Sequence, residues 1–403
     1  MERKKVAVQA CENYESMRVE AAVSRVIADL GGISSFVKKG QTVFLKANLV
    51  VGAEPNKATT THPAVVAAVA KLVIANGAKV IIGDSPGGPY NKGYVGGVYK
   101  KTGMADVAAD TGAELNQDFT EARIDFPSGV VAKVIPICNS LEKADVIINV
   151  AKLKTHTFSG LSGACKNMYG SIPGLVKVEW HQYFPELRTF ADCLIDIQEY
   201  LRPKLVLHIV DAVDCMEGPG PTGGTPIHMG LVLGSTCYSS ADVVCARLIG
   251  ENPAVLPTLS AAVDRKLLNP KYEVEIIGQP IENYINTKYK RMEPSNFAAG
   301  SSRFVQWLLK RVFSQKPKVS RRKCKGCSKC KEHCPAGAIT MKQKKNGMYA
   351  TFDYNKCIRC FCCQELCPFH VVKVKTPFVV KIMQRSKRRR VAKAALVNSK
   401  QSQ

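Results

Sequence analysis

Two cysteine runs constrain this chain more than anything else in it. Cys324, Cys327, Cys330 and Cys334 are spaced C-x2-C-x2-C-x3-C and are followed by Pro335. Cys357, Cys360, Cys363 and Cys367 repeat the spacing and are followed by Pro368. Three thiolates at i, i+3 and i+6 on a turning loop can hold three irons of one cubane. The fourth thiolate, three residues further on, points across a pseudo-twofold axis to a second cubane. The expected ligands of one [4Fe-4S] cluster are Cys324, Cys327, Cys330 and Cys367. Those of the other are Cys334, Cys357, Cys360 and Cys363. Zinc also takes C-x2-C pairs, but a zinc site needs four ligands in two pairs, not two full runs each closed by Cys-Pro. Cys362 is an extra thiol inside the second run. A packed residue is the expectation for it, and competition with Cys363 is the alternative.

Residues 318–372 resemble the bacterial-type ferredoxin domain with two [4Fe-4S] clusters. The resemblance implies a small α+β unit that passes single electrons, two in sequence when both clusters act. Potentials of such clusters span roughly −700 to +450 mV, so the direction of flow stays open.

Charge marks the same region. The chain carries a formal net charge of +24, and residues 301–403 hold 26 Lys and Arg against 3 Asp and Glu. The first 300 residues are close to neutral. A boundary near residue 300 is the simplest reading. The seven cysteines outside the runs (Cys11, Cys138, Cys165, Cys193, Cys215, Cys237 and Cys245) are scattered. Such scatter reads as reduced thiols used as core filler. At 46% hydrophobic and 22% charged residues, wholesale disorder is excluded. No apolar run reaches the ~18 residues of a membrane-spanning helix. The first residues lack the apolar stretch of a signal peptide. A soluble, cytoplasmic protein is the expectation.

Up to residue 280 the chain alternates β-rich runs with helical stretches. Strands are expected at 6–10, 42–46, 79–83, 145–150, 205–210, 231–234 and 274–277. Helices are expected at 18–30, 63–76, 190–201 and 240–249. Several strands are unbroken Val/Ile/Leu runs, as in sheets buried on both faces. The fold class is therefore α/β, a mostly parallel sheet domain followed by the small α+β ferredoxin-like domain. The expected divisions are 1–280 for the α/β domain, 281–317 for a linker with an amphipathic helix, 318–372 for the cluster domain and 373–403 for a basic tail. The linker helix, 296–313, places Phe304, Leu308 and Val312 on one face beside Trp307.

Ligands of open parallel sheets bind beyond the carboxyl ends of the strands. Polar, Gly-rich segments recur there. Lys46 and Asn48 follow one strand, Asp84 another, Lys152, Lys154, His156, Lys166 and Asn167 a third, and Asp211, Asp214 and Glu217 a fourth. Buried lysines need a carboxylate partner or an anionic ligand. The four acids are candidate general acids, metal ligands or partners of those lysines. His62 is either functional or a cap on the helix that opens at Pro63.

Lys46-x-Asn48-Leu49, Thr61-His62-Pro63, Gly83-Asp84-Ser85-Pro86-Gly87, Lys152-Leu153-Lys154-Thr155-His156, Lys166-Asn167-Met168-Tyr169-Gly170 and Asp211-Ala212-Val213-Asp214 together resemble the DUF362 family. The likeness covers about residues 5–280, and a C-terminal ferredoxin module is a common companion in that family. It implies an iron–sulfur protein and brings no settled catalytic residues with it.

The leading functional expectation is an iron–sulfur oxidoreductase that passes electrons through the two clusters to a substrate or cofactor in the strand-end crevice. There Lys152, Lys154 and Lys166 would hold an anionic group. His156 would donate a proton, oriented by Asp211 or Asp214. The alternatives are a non-catalytic electron carrier or adaptor, and a cofactor-dependent isomerase or transferase with a redox-sensing ferredoxin module. The +23 C-terminal quarter suits an acidic redox partner such as a ferredoxin or flavodoxin. An anionic membrane surface is a rival partner. Nucleic acid is disfavoured, because no nucleic-acid-binding fold signature is present.

Overall fold

A computed structural model describes residues 4–292, 315–345 and 347–378. The chain divides into two compact units, Met1–Pro294 and Ser295–Gln403. The expected helix at 296–313 and the basic run Lys387-Arg388-Arg389-Arg390 lie outside the described residues.

The first unit is built on a nine-stranded sheet. Its strands are β1 (Lys5–Ala10), β2 (Thr42–Ala47), β3 (Lys79–Gly83), β4 (Glu114–Leu115), β7 (Val146–His156), β8 (Gly160–Ser162), β9 (Leu205–Glu217), β10 (Thr225–Ser235) and β11 (Glu275–Gly278). A separate antiparallel hairpin joins β5 (Glu121–Asp125) to β6 (Val134–Cys138). The sheet order is β11-β1-β10-β9-β7-β2-β3-β4, with β8 paired to β7. Five of its eight pairings are parallel, so the sheet is mostly parallel as expected.

Period-2 alternation feeds two cores, one on each face. Val43 and Leu45 face one core with Ile148 and Val150, and helices Ser16–Asp29 and Pro63–Ala75 cover it. Phe44 and Ile147 face the other, under helices Leu187–Leu201, Tyr238–Leu248 and Pro257–Asp264. This double burial is why the central strands read as continuous apolar runs.

Winding reverses between β2 and β7. From β2 the order runs outward through β3 and β4, while β7 leads the other way to β9. Such a reversal opens a crevice at the carboxyl ends of the two strands.

The strands at this place are longer than expected. β7 continues to His156 and β9 to Glu217. The Lys152-to-His156 motif is therefore extended strand, not loop. It stays extended because β8 and β9 satisfy its backbone on either side.

The second unit repeats one theme twice. β12 (Lys316–Val319), a cysteine loop, a one-turn helix Lys329–Glu332 and β13 (Ile339–Lys344) form one half. β14 (Gly347–Phe352), a second loop, helix Cys362–Glu365 and β15 (Val372–Lys375) form the other. β12 pairs with β15 and β13 with β14, both antiparallel. Left-handed backbone recurs at matched positions. Gly326 (φ 69°) matches Arg359 (62°), Ser328 (61°) matches Phe361 (62°), and Gly337 (57°) matches His370 (49°).

Candidate functional site

The cysteine loops line two open pockets. Cys324, Cys327, Cys330 and Cys367 line one. Cys334, Cys357, Cys360 and Cys363 line the other, with Cys362 beside them. Each set takes three cysteines from one loop and one from the opposite half. None of the eight forms a disulfide. Burial and neighbouring thiols push Cys330 up to about 11 and raise Cys363 well above its ordinary value. Thiolates crowded this way repel one another, and a bound cationic centre removes that penalty. The donor set and its apolar surroundings therefore fit [4Fe-4S] clusters. Cys362 occupies the position that Lys329 fills in the other half. Its thiol donates to Cys360, which lowers the Cys360 pKa and raises its own.

The strand-end crevice of the first unit is a buried polar network. Lys46, at the end of β2, is fully buried and meets Asp84 Oδ1 at 2.6 Å. Its ammonium also donates to the carbonyls of Ala47 and Asn167. Asp84 Oδ2 accepts from Leu49 N at 2.6 Å, so the carboxylate holds the turn after β2. On β7, Lys152 and Lys154 are each 1% exposed and share one face with His156. Lys152 Nζ lies 2.8 Å from Asp211 Oδ2 and 2.8 Å from Tyr14 Oη. Tyr14 Oη in turn donates to Asp211 Oδ1 at 2.9 Å. Lys154 Nζ donates to Asn48 Oδ1 at 2.8 Å and to Thr59 O. Asn48 Nδ2 continues to Asn167 Oδ1 at 2.8 Å, and Asn167 Nδ2 to Asn149 Oδ1 at 2.7 Å. Lysines and asparagines from β2, β7 and the segment after β8 thus form one connected set at the winding reversal.

An aromatic wall stands next to it. Lys166 Nζ sits 4.5 Å from the centre of the Tyr169 ring and 5.8 Å from that of Phe190. His181 stacks on Phe190 at 4.6 Å, with Phe158 and Tyr169 edge-on to it. His156 is buried, and Lys166, His181 and Lys154 add to the burial in pulling its pKa well below the usual histidine range.

The profile of the family described as "Domain of unknown function (DUF362)" matches residues 43–247. The thylakoid-associated protein sll1697 of Synechocystis sp. is 33% identical over 274 residues, covering 66% of this chain and 81% of that protein. The chain belongs to the DUF362 family. A second profile, "4Fe-4S dicluster domain", matches residues 323–371, so the C-terminal unit is an iron–sulfur domain. Among solved structures, the lactate racemase apoprotein from Thermoanaerobacterium thermosaccharolyticum is similar at 14% identity and a TM-score of 0.39. That match covers 61% of this chain and 57% of that one. A Thermotoga maritima protein is similar at 15% identity and a TM-score of 0.35, covering 54% and 55%. This chain thus spans little more than half the length of each.

Within the DUF362 unit the expected residues divide. Lys46, Asp84, Lys152, Lys154, Asn48, Asn167 and Asp211 come together. Asp214 does not join them, because it turns to the rim and meets His228 Nδ1 at 2.8 Å. Glu217 pairs with Lys290 at 2.6 Å. His62 caps its helix, with Ala64 N donating to Nδ1, and stacks on Tyr14 at 3.5 Å. The expectation that Asp211 or Asp214 orients His156 fails. Asp211 is occupied by Lys152, Tyr14 and the amides of His62 and Val213. His156 Nδ1 instead accepts from the amides of Phe158 and Ser159. That arrangement places the ring proton on Nε2 and leaves the imidazole neutral near pH 7, a hydrogen-bond donor and not an acid.

Two participants escaped the sequence reading. Tyr14 follows β1, whose carboxyl end carries no Gly-rich motif. Lys177 sits in helix Val176–Tyr183 and donates to Ser85 Oγ at 2.7 Å and to Ile172 O at 2.7 Å. Burial pushes its pKa down to about 7, with Lys46 and Lys166 adding and Cys138 and Asp84 opposing. No spacing rule links Lys177 to Ser85, which is 92 residues away.

Proposed function

We propose that this protein is an iron–sulfur oxidoreductase that acts on a small anionic molecule in the strand-end crevice of its DUF362 unit. The observation that carries the reading is the sorting of eight cysteines into two crossed tetrads. Cys324, Cys327, Cys330 and Cys367 hold one cluster, and Cys334, Cys357, Cys360 and Cys363 the other. When bound, the clusters supply electrons one at a time. Lys166, set on the aromatic wall, holds the anionic group as a point charge. Lys152 and Lys154, tied into the buried network, keep the crevice floor positive and rigid. His156 donates a hydrogen bond from Nε2. The proton that accompanies reduction comes from Lys177, the group poised to titrate near neutrality.

The test is substrate-dependent reoxidation. Full-length holoprotein is reduced photochemically, and small carboxylates and phosphates are screened for return of the oxidised cluster absorbance. A compound that reoxidises the wild type but not Lys166→Gln, with cluster content unchanged, supports the reading. Undiminished turnover in the double variant Lys152→Gln/His156→Gln removes the crevice from the mechanism. A holoprotein that no compound reoxidises, and that retains no extra mass by native mass spectrometry, is an electron carrier instead.

A further inference from the structure

We infer that the loop around Cys327 is the docking surface for an acidic one-electron carrier protein of the flavodoxin type. The tetrad of Cys324, Cys327, Cys330 and Cys367 would then be the port where electrons cross. The inference rests on the iron–sulfur reading above and adds to it the surface, the partner class and the cluster concerned.

The internal repeat supplies the control. The two halves share one backbone, so each position of the first loop has a counterpart in the second. Lys325, Lys329 and Lys331 are exposed. Their counterparts are Ile358, Cys362 and Gln364, and the last two are only 4% and 3% exposed. Arg321 and Arg322 are exposed, and their counterparts Tyr354 and Asn355 carry no charge. Residues 321–334 hold six Lys and Arg and one Glu, whereas residues 354–367 hold two and one. Cys327 is exposed, whereas its counterpart Cys360 is buried. Phe369, which lines the Cys327 cavity, is 46% exposed. Its counterpart is the small residue Ala336.

One loop therefore sets a cluster ligand and an apolar spot inside a collar of cations, and its twin carries fewer charges and buries the matching cysteine. The collar is held in place. Lys344 Nζ donates to Cys324 O at 2.6 Å and to Arg321 O at 3.0 Å, and the Arg321 guanidinium lies 5.0 Å from the Tyr349 ring centre. Charges around a small contact favour fast encounter and fast release, which a transient carrier needs. The cluster that Cys327 would help hold passes single electrons, so a one-electron carrier is the partner that makes use of both the cations and the apolar spot beside it. One electron crosses per encounter. The partner's carrier loses it and the cluster gains it, or the reverse, and no covalent bond is made or broken.

The test measures binding without turnover. Full-length oxidised holoprotein is titrated with oxidised flavodoxin at low salt. Lys325→Glu/Lys329→Glu reverses two collar charges, and Lys356→Glu/Lys375→Glu makes the same charge change away from the collar. Iron content confirms that both variants keep their clusters. The collar variant is expected to weaken binding about tenfold or more, and the control less than about threefold. Equal weakening in both would reduce the effect to net charge and overturn the inference. So would a wild type that does not bind, or a collar variant that binds normally. Loss of binding to phosphatidylserine vesicles by the collar variant, with flavodoxin binding intact, would reassign the collar to a membrane. Failure of the crevice chemistry leaves these binding constants untouched, and failure of docking leaves photochemically driven reoxidation untouched.

Discussion

At the scale of single residues, Gly170 lies in close contact with the buried Lys46 and Asp84 pair. A Cβ there would lie 2.2 Å from Asp84 Oδ1 and 2.6 Å from Lys46 Nζ. Both side chains are buried. Gly170→Ala forces the Lys46 and Asp84 side chains to shift, and overpacking of this kind costs about 1–3 kcal/mol. Gly97 is the matched control, because a Cβ there meets nothing within 4 Å and it sits in helix Lys92–Lys101. Gly97→Ala should stabilise by roughly 0.5–1 kcal/mol. Urea unfolding of both variants checks the pair, and a Gly170→Ala protein as stable as wild type would show that the Lys46 and Asp84 contact is dispensable. Lys177 gives a second residue-scale prediction. Its folded pKa, about 7, lies below the ordinary lysine value of 10.5. Between those values the unfolded chain binds the extra proton, so stability should rise with pH across that window. Below pH 7 the folded protein carries the full cost of the buried ammonium. Lys177→Met should remove this rise, seen as a smaller gain in melting temperature from pH 7 to 9.

At the scale of elements, the cysteine repeat makes a sharp claim about Cys362. The matched left-handed positions align it with Lys329, which is not a cysteine in the other half. Cys362→Ala should keep about eight irons per chain, whereas Cys363→Ala should lose the cluster of its tetrad. Iron analysis and the spectrum of the reduced protein distinguish the two. The repeat was legible from spacing alone, because loop ligation is local in sequence. The α/β elements were legible to a different degree. β3 was read to the residue, since a Val/Ile run ends cleanly in glycine. β7 and β9 were read short, because Lys152, Lys154 and Asp211 look like loop residues until a partner strand and a counter-charge bury them. The β5 and β6 hairpin was not read at all. Its strands are short and mixed, and its turn is held by Asp196, whose carboxylate accepts from the amides of Val130, Val131 and Ala132 across the chain.

At the scale of the whole molecule, the DUF362 unit concentrates groups that folding must keep in one protonation state. His62 is lowered to about 4, His181 and His208 to about 3, and His156 well below its ordinary value, in each case first by burial. All four stay neutral in the folded protein while the unfolded chain protonates near pH 6.5. The contribution of these four histidines is therefore complete above that pH and falls as pH drops toward 4, because the unfolded state takes up the protons. His181 separates a wall of the crevice from a titrating group. Its Nδ1 makes no hydrogen bond, and its ring stacks on Phe190. His181→Phe keeps the stacking and removes one proton uptake. The variant should be at least as stable as wild type at pH 7.5 and should lose stability less steeply between pH 6 and 4. Thermal melts across that range measure the slope. An unchanged slope would mean that His181 is already charged in the folded protein, which would place a counter-ion in the crevice and recast the wall as part of its anion site.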